Sequence, residues 1–355
     1  MQQCWFWIIS LMLALYAILD GFDFGAGALH LFVAKTNTER QQVIGAIGPF
    51  WDGNEVWLLA AGGALLLAFP GTMTAAFSGF YLAIFVLIWT LIIRAISIEF
   101  RNHIQDGLWH AFWDALFFLS SVFIPILLGA ALGNVLRGVP IDGTGSFHIP
   151  LFTNFRTAEP VGILDWYTVL VGVFVFLTVI GHGAAFLAWK TTDAVARRAR
   201  ALGLPVWITV TALGGIVTYT TNQVNPSLYG NLRYAPMGWL GLALFCASVF
   251  VVFFGLLRAR PLLTFLGTST FIAGMLVATA GCLFPVMLKS SINDAYSLTV
   301  YNAASGDTGL RSALCWWAIG FPIAVGYAAL LFYLHRKRSD DAKKWSEDHS
   351  TDSSY

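Results

Sequence analysis

Charge is what this chain has least of. Lys, Arg, Asp and Glu make up 11% of its 355 residues, where a soluble globular domain carries about 25%. Twenty basic and nineteen acidic side chains leave a net charge of +1, so bulk charge gives no argument for nucleic-acid binding. Cysteine is scarce too. Cys4, Cys246, Cys282 and Cys315 show no CxxC spacing, and at least Cys246 and Cys282 fall inside apolar runs. A free thiol there acts as a small hydrophobe, so neither a disulfide framework nor a thiolate metal site is indicated. There is no Walker A loop, no dinucleotide-binding fingerprint and no CxxCH haem attachment. The first apolar run lacks a basic leader and a small-residue cleavage site, so Met1–Leu19 reads as the start of a retained helix rather than a signal peptide.

What is abundant is apolar: 57% of residues, with a mean hydropathy of +0.71. This predicts an all-α, multi-pass integral membrane protein, because only helices and closed barrels satisfy their backbone in lipid. About nine segments are long enough to cross ~30 Å of hydrocarbon: 5–33, 55–77, 79–98, 113–136, 163–188, 205–222, 236–257, 262–288 and 312–334. Residues 1–338 form the helical domain, with a tight turn at Pro70-Gly71 and a longer Gly/Pro-rich connection at 137–162. Residues 339–355 read as a polar, disordered tail. Fifteen of the twenty Lys and Arg residues fall in one set of loops and the tail, among them Lys35, Arg94, Arg101, Lys190, Arg200 and Arg260. The positive-inside rule then puts the N-terminus outside and the C-terminus in the cytoplasm. Gly21-x3-Gly25 and Gly62-Gly63-Ala64 are expected to permit close helix contact.

The informative residues are acids placed where acids are costly. An Asp at the centre of a spanning helix costs roughly 2.5–3.5 kcal/mol on insertion scales, so an acid at that depth is a functional-site candidate by default. Asp20 and Asp23, in LDGFDFGAG, share a helix face at i, i+3. They fit a proton-conducting role or a structural ion pair. Asp52 and Glu55, in GPFWDGNEVWL, are also i, i+3, and equally fit an N-terminal capping box. Trp51 and Trp57 beside them fit an interfacial aromatic belt. Arg94 can be a counter-charge for one of these acids or can snorkel to the interface. Glu99 follows it, and Asp114 reads as a first-turn acid favoured by the helix dipole. His30 and His182 are the two histidines inside spans. A lone intramembrane His is usually a hydrogen-bonded structural residue, but two at similar depth keep a bis-His haem in view.

Several of these stretches recur together. LDGFDFGAG (19–27), NTER (37–40), GPFWDGNEVWL (48–58), GGALLLAFP (62–70) and FSGFY (77–81) occur in order. RAISIEFR (94–101), Trp113-Asp114, LGNVLRGVP (132–140) and HGAAFLAWKT (182–191) follow. The set resembles subunit II of the cytochrome bd-type quinol oxidases, most densely over the first 140 residues. The resemblance implies a bacterial cytoplasmic (inner) membrane complex that oxidises membrane quinol and reduces oxygen to water. It implies two b-type haems and one d-type haem in subunit I, none in this chain, and no metal site here. Subunit I is the implied partner, beside membrane lipid, with small single-helix accessory subunits and a structural quinone known in some members. It also implies a proton route involving Asp52 of the WDGN motif (Trp51, Gly53 and Asn54 around it) and Asp20 and Asp23 of the DGFD motif. Glu55 stands where some relatives have Gln. Glu99 and Asp114 are further candidates for the route. The alternative from the residues alone is a proton-coupled secondary transporter, which would use intramembrane acids equally well.

Overall fold

The computed structural model describes residues 1–335. The proposed polar tail lies outside them. Eleven α-helices make up most of the described chain: α1 Gln2–Val33, α2 Asn37–Ile47, α3 Trp51–Ala68, α4 Pro70–Gly79, α5 Tyr81–Phe100, α6 Gly107–Arg137, α7 Trp166–Lys190, α8 Asp193–Val224, α9 Pro236–Leu257, α10 Pro261–Leu283 and α11 Asp307–Leu334. Eight are long and apolar enough to cross a membrane, and nine if a bent pair counts as one span.

The bent pair corrects one expectation. Segment 55–77 is not a straight span: α3 ends at Ala68 and α4 leaves it at 119°. Pro70 is the cause, since it opens α4 without an N–H to continue α3. The carbonyls freed at the break are met by protein: Ser305 donates its N–H to Ala68 O (2.9 Å) and its hydroxyl to Leu67 O (2.6 Å). Segment 262–288 is shorter than expected, because α10 stops at Leu283 and β1 (Val286–Leu288) pairs antiparallel with β2 (Leu298–Thr299). Two helices begin earlier than hydropathy indicates. α8 starts at Asp193 and carries its arginines on its first turns, and α6 starts at Gly107, capped by the Asp106 side chain. Helix α2 is too polar to register as a span, and a Thr36/Glu39 capping box starts it.

α1 and α7 form the centre. They touch backbone to backbone at Gly25 and Gly183: a Cβ on Gly25 would lie 2.2 Å from Val179 O and 2.7 Å from Gly183 Cα. Around this contact pack Phe22, Phe186 and Phe265, with Phe22 and Phe186 stacked at 4.1 Å. Gly62 and Gly63 make no such approach. Nothing lies within 4 Å of a Cβ at Gly63.

At one end, residues 138–165 fold over the helices. Asp165 caps α7 and pairs with Arg137 at the end of α6, while Arg137 also donates to Gly162 O (3.0 Å) and Asn134 Oδ1 (2.7 Å). Val139, Ile141, Phe147, Ile149 and Ile163 bury themselves there against Phe80 and Leu288. α11 stands apart from the bundle and is held near its two ends. Trp5 Nε1 donates to Leu310 O (3.1 Å) at one end. At the other, Lys190 donates to His335 O and Phe50 stacks on Phe332 at 4.6 Å. Between them an apolar cavity of about 300 Å³ separates α11 from α3, and Pro322 lies inside the helix in this stretch.

Candidate functional site

The acids of α1 meet α3 and α5 inside the bundle. Asp20 and Asp23 are both 0% exposed. Asp20 Oδ1 accepts from Arg94 Nη1 at 2.6 Å, and Arg94 Nη2 donates to Glu55 Oε2 at 3.0 Å. The Arg94 guanidinium also lies 4.6 Å from the centroid of the Phe24 ring, a favourable placement for a cation. Asn54 turns its amide toward α1, donating to Asp23 Oδ2 (2.7 Å) and to Leu19 O (3.0 Å). The i, i+3 spacing on α1 thus sends one carboxylate to the arginine and the other to the asparagine. The second oxygens, Asp20 Oδ2 and Asp23 Oδ1, have no hydrogen-bond partner among the described residues.

Of the alternatives that the sequence left open, Arg94 is the counter-charge of Asp20 and Glu55. Arg94 does not snorkel; it is wholly buried. Asp52 and Glu55 do not form a capping box. Phe50 is the N-cap, α3 has no side-chain cap, Asp52 sits exposed in the first turn, and Glu55 turns to Arg94 instead. Trp57 is no belt residue, being buried edge-on against Phe321 at 5.8 Å, while Trp51 is half-buried against the central core. A Cβ at Gly53 would meet Tyr327 at an ordinary 3.6 Å.

Asp114 belongs to a second cluster. It lies two turns into α6 rather than in its first turn, because the helix starts at Gly107. Arg101 approaches it through Nε (2.5 Å) and Nη2 (3.2 Å), Arg40 through Nη1 (3.0 Å), and His30 through Nε2 (2.7 Å). Arg101 continues to Asn37 (2.7 Å) and Gln41 (3.1 Å) on α2. The cluster ties α1, α2 and α6 together where α5 ends. Glu99 is exposed, and its carboxylate joins neither cluster. Sequence reasoning passed over Arg40 and Arg101 as loop cations. The NTER motif was the available signal, since it places Arg40 on a helix that packs back on α1.

Outside the spans, Glu39 accepts from the Lys35 N–H (2.6 Å) and from Arg198 Nη1 (2.8 Å). The Lys35 backbone bond first, and Arg198 next, hold its carboxyl below the ordinary value of 4.5. A depressed carboxylate contributes stability above its unfolded pKa, and that stability is lost as pH falls through the folded one. Protection of the α2 amides from hydrogen exchange is therefore expected to fall on acidification below about 4.5. In Glu39→Gln it should be weaker at neutral pH and insensitive to that step; an identical pH profile would refute the assignment.

The two intramembrane histidines do not face each other as a bis-His pair, since His182 meets α1 at Ile18, twelve residues from His30. His182 uses both ring nitrogens, on Thr268 Oγ1 (2.7 Å) and Ile18 O (2.9 Å), and stacks on Phe265 at 5.0 Å. His30 bonds Asp114 through Nε2, and its Nδ1 has no hydrogen-bond partner among the described residues. Among the described residues, no three His, Cys, Asp or Glu side chains converge as a metal site.

Fold and site together define a multi-pass helical membrane protein whose interior holds arginine-paired carboxylates. The family model for cytochrome bd terminal oxidase subunit II matches residues 1–335. The chain is 30% identical to cytochrome bd ubiquinol oxidase subunit 2 of Bacillus subtilis (strain 168), over 95% of this chain and 96% of that one. It is also 30% identical to cytochrome bd-I ubiquinol oxidase subunit 2 of Escherichia coli (strain K12), over 93% and 92%. The solved structure of the bd oxidase from Geobacillus thermodenitrificans has a chain of the same fold, with a TM-score of 0.74 at 20% identity, covering 94% of this chain and 98% of that one. The chain belongs to the cytochrome bd terminal oxidase subunit II family. It is a subunit of a bd-type quinol oxidase, an oxidoreductase complex of the bacterial inner membrane.

Proposed function

We propose that this chain is the haem-free subunit of that oxidase, with its N-terminus outside, and that it supports assembly of subunit I and supplies it with protons from the cytoplasm. One observation carries the reading: two wholly buried carboxylates on α1 are joined through Asn54, Glu55 and Arg94 to the first turns of α3, where Asp52 stands exposed.

In this reading Asp52 takes a proton from water at the mouth. Glu55, one turn on, has a side chain 24% exposed and is the next acceptor. Asp23 and Asp20 receive the proton in the interior through Asp23 Oδ1 and Asp20 Oδ2. The group holds three carboxylates against one guanidinium, so it can take up a proton without becoming cationic. Arg94 keeps the acids from being uncompensated charges in a low-dielectric interior, and Asn54 fixes the Asp23 rotamer. Asp114, with both oxygens engaged by cations, and the exposed Glu99 lie off this route. Quinol oxidation and oxygen reduction belong to the haems of subunit I, two b-type and one d-type, and no step on this chain passes through them.

Asp52→Asn in the intact complex is expected to slow oxygen consumption about tenfold or more while leaving the reduced-minus-oxidised haem spectrum unchanged. Normal turnover would remove Asp52 from the route. A transporter would place its site at a broken helix. The α3 break at Phe69 lies ~22 Å along the helix from Asn54, and its carbonyls are already satisfied by Ser305. Oxygen consumption unaffected in Asp52→Asn, with proton-coupled uptake lost, would nevertheless favour that alternative.

A further inference from the structure

The arginine-rich end of α8 and the short α9–α10 turn form a corner that the proton reading does not use. Arg197, Arg200, Arg258 and Arg260 are all exposed there. None forms an ion pair with a carboxylate among the described residues, whereas neighbouring Arg198 is taken by Glu39. The turn is rigid. Arg260 N–H bonds Gly255 O (2.8 Å) and Ala259 N–H bonds Leu256 O (3.2 Å), the paired bonds of a Schellman cap. Ala259 holds the left-handed position at φ 51°. The cap fixes Arg258 and Arg260 on either side of one residue.

Arg200 and Arg260 face a common narrow crevice, walled by Ala188, Ala199, Gly203 and Gly255. Thr264, in the first turns of α10, completes it. α10 starts at Pro261 with no side-chain cap, so its first-turn N–H groups and positive dipole end add to the arginines. Below this rim the surface turns apolar along two helices. On α8, Leu204 and Ile208 follow Arg200 at four-residue steps and are 38% and 54% exposed. On α9, Phe254 and Phe250 precede Arg258 at the same step and are 48% and 77% exposed. Side chains four apart lie on one helix face, so Arg200 and Arg258 each stand at the head of an apolar ridge, with Arg260 beside Arg258 across the turn.

The geometry points to a surface site for one anionic glycerophospholipid, its headgroup phosphate over the exposed rim that Arg200 and Arg260 border at the N-terminus of α10 and its acyl chains along the α8 and α9 ridges. Charge complementarity selects the occupant. Arginines at a membrane rim attract anionic headgroups by about 1 kcal/mol each, and Arg200 and Arg260 border the same crevice without a carboxylate partner among the described residues. A zwitterionic lipid brings a compensating cation to the same spot and gains less. The site is independent of the proton route and of how the chain is oriented.

The test is native mass spectrometry of the detergent-purified oxidase complex titrated with phosphatidylglycerol or phosphatidylcholine. The wild type should hold phosphatidylglycerol at one site that Arg200→Gln/Arg260→Gln weakens about tenfold or more. Phosphatidylcholine binding should not change, and Arg200→Lys/Arg260→Lys should keep most of the affinity. Should the double Gln variant not assemble, the single Arg200→Gln and Arg260→Gln variants are read on the same titration, each expected to weaken binding. Equal retention by wild type and Gln variants would overturn the proposal. So would displacement of the lipid by millimolar inorganic phosphate, which would make this a free-anion site. A chain ended after His335 that gains phosphatidylglycerol would also overturn it, by showing that the acids of residues 336–355 fill the corner.

Discussion

Arg94→Gln is expected to deplete the folded complex more than any other single change in the carboxylate group. The substitution leaves Asp20 and Glu55 without the cation that touches both, and Asp20 is wholly buried. Removing one partner of a buried ion pair typically costs about 3–5 kcal/mol, most of it the penalty of the charge left behind. That is a large part of the stability of most folded domains. The readouts are the yield of assembled complex and its midpoint of thermal inactivation. A second substitution isolates the cause: Arg94→Gln/Asp20→Asn removes the stranded charge and should recover part of the loss. If the double variant is no better than the single, the harm lies in lost packing over Phe24 rather than in charge.

The second large effect is steric. Gly25→Ala places a methyl group 2.2 Å from Val179 O and 2.7 Å from Gly183 Cα. Both obstacles are backbone of α7, so no rotamer change relieves the clash and the two central helices must separate. Overpacking typically costs 1–3 kcal/mol, and because backbone is what must move, about 3 kcal/mol is expected here. Asp20 and Asp23 sit on the displaced helix, so activity should fall with stability. Gly63→Ala is the internal control, since open space surrounds that position, and it should leave the inactivation midpoint unchanged. Equal tolerance at both positions would mean that α1 and α7 are not in contact as described.

Much of the architecture can be read from hydropathy, and its errors have local causes. α8 begins twelve residues before its apolar run because DAVARRARALGL is helical yet charged, and a hydropathy window sees only charge. Pro70 signals a break in segment 55–77, but the carbonyls it frees are met by Ser305, more than two hundred residues away. The Thr36-x-x-Glu39 pattern announces α2, although its low hydropathy hides it from a search for spans. The site divides in the same way. Depth and i, i+3 spacing single out Asp20 and Asp23 within one helix. That Arg94 reaches Asp20 and Glu55, and that Asn54 rather than Asp52 touches Asp23, depends on the rotation of α3 and α5 about their axes, which helix packing decides. Asp114 shows the limit most clearly. Its partners come from α2, from the end of α5 and from His30, none adjacent in sequence, so a neighbourhood reading found only the helix dipole.

α11 behaves as a beam supported near both ends. Trp5 holds it at Leu310 and Lys190 at His335, with a notch at Pro322 over a span that rests on a cavity. Sideways deflection at mid-length breaks no tertiary hydrogen bond among the described residues and meets only dispersion contacts. The opposite wall of that cavity is Phe50 and the face of α3 from Gly53 to Ala60, the stretch that carries Asn54 and Glu55. A load applied to the outer face of α11 is therefore delivered to the helix that holds the carboxylates in register.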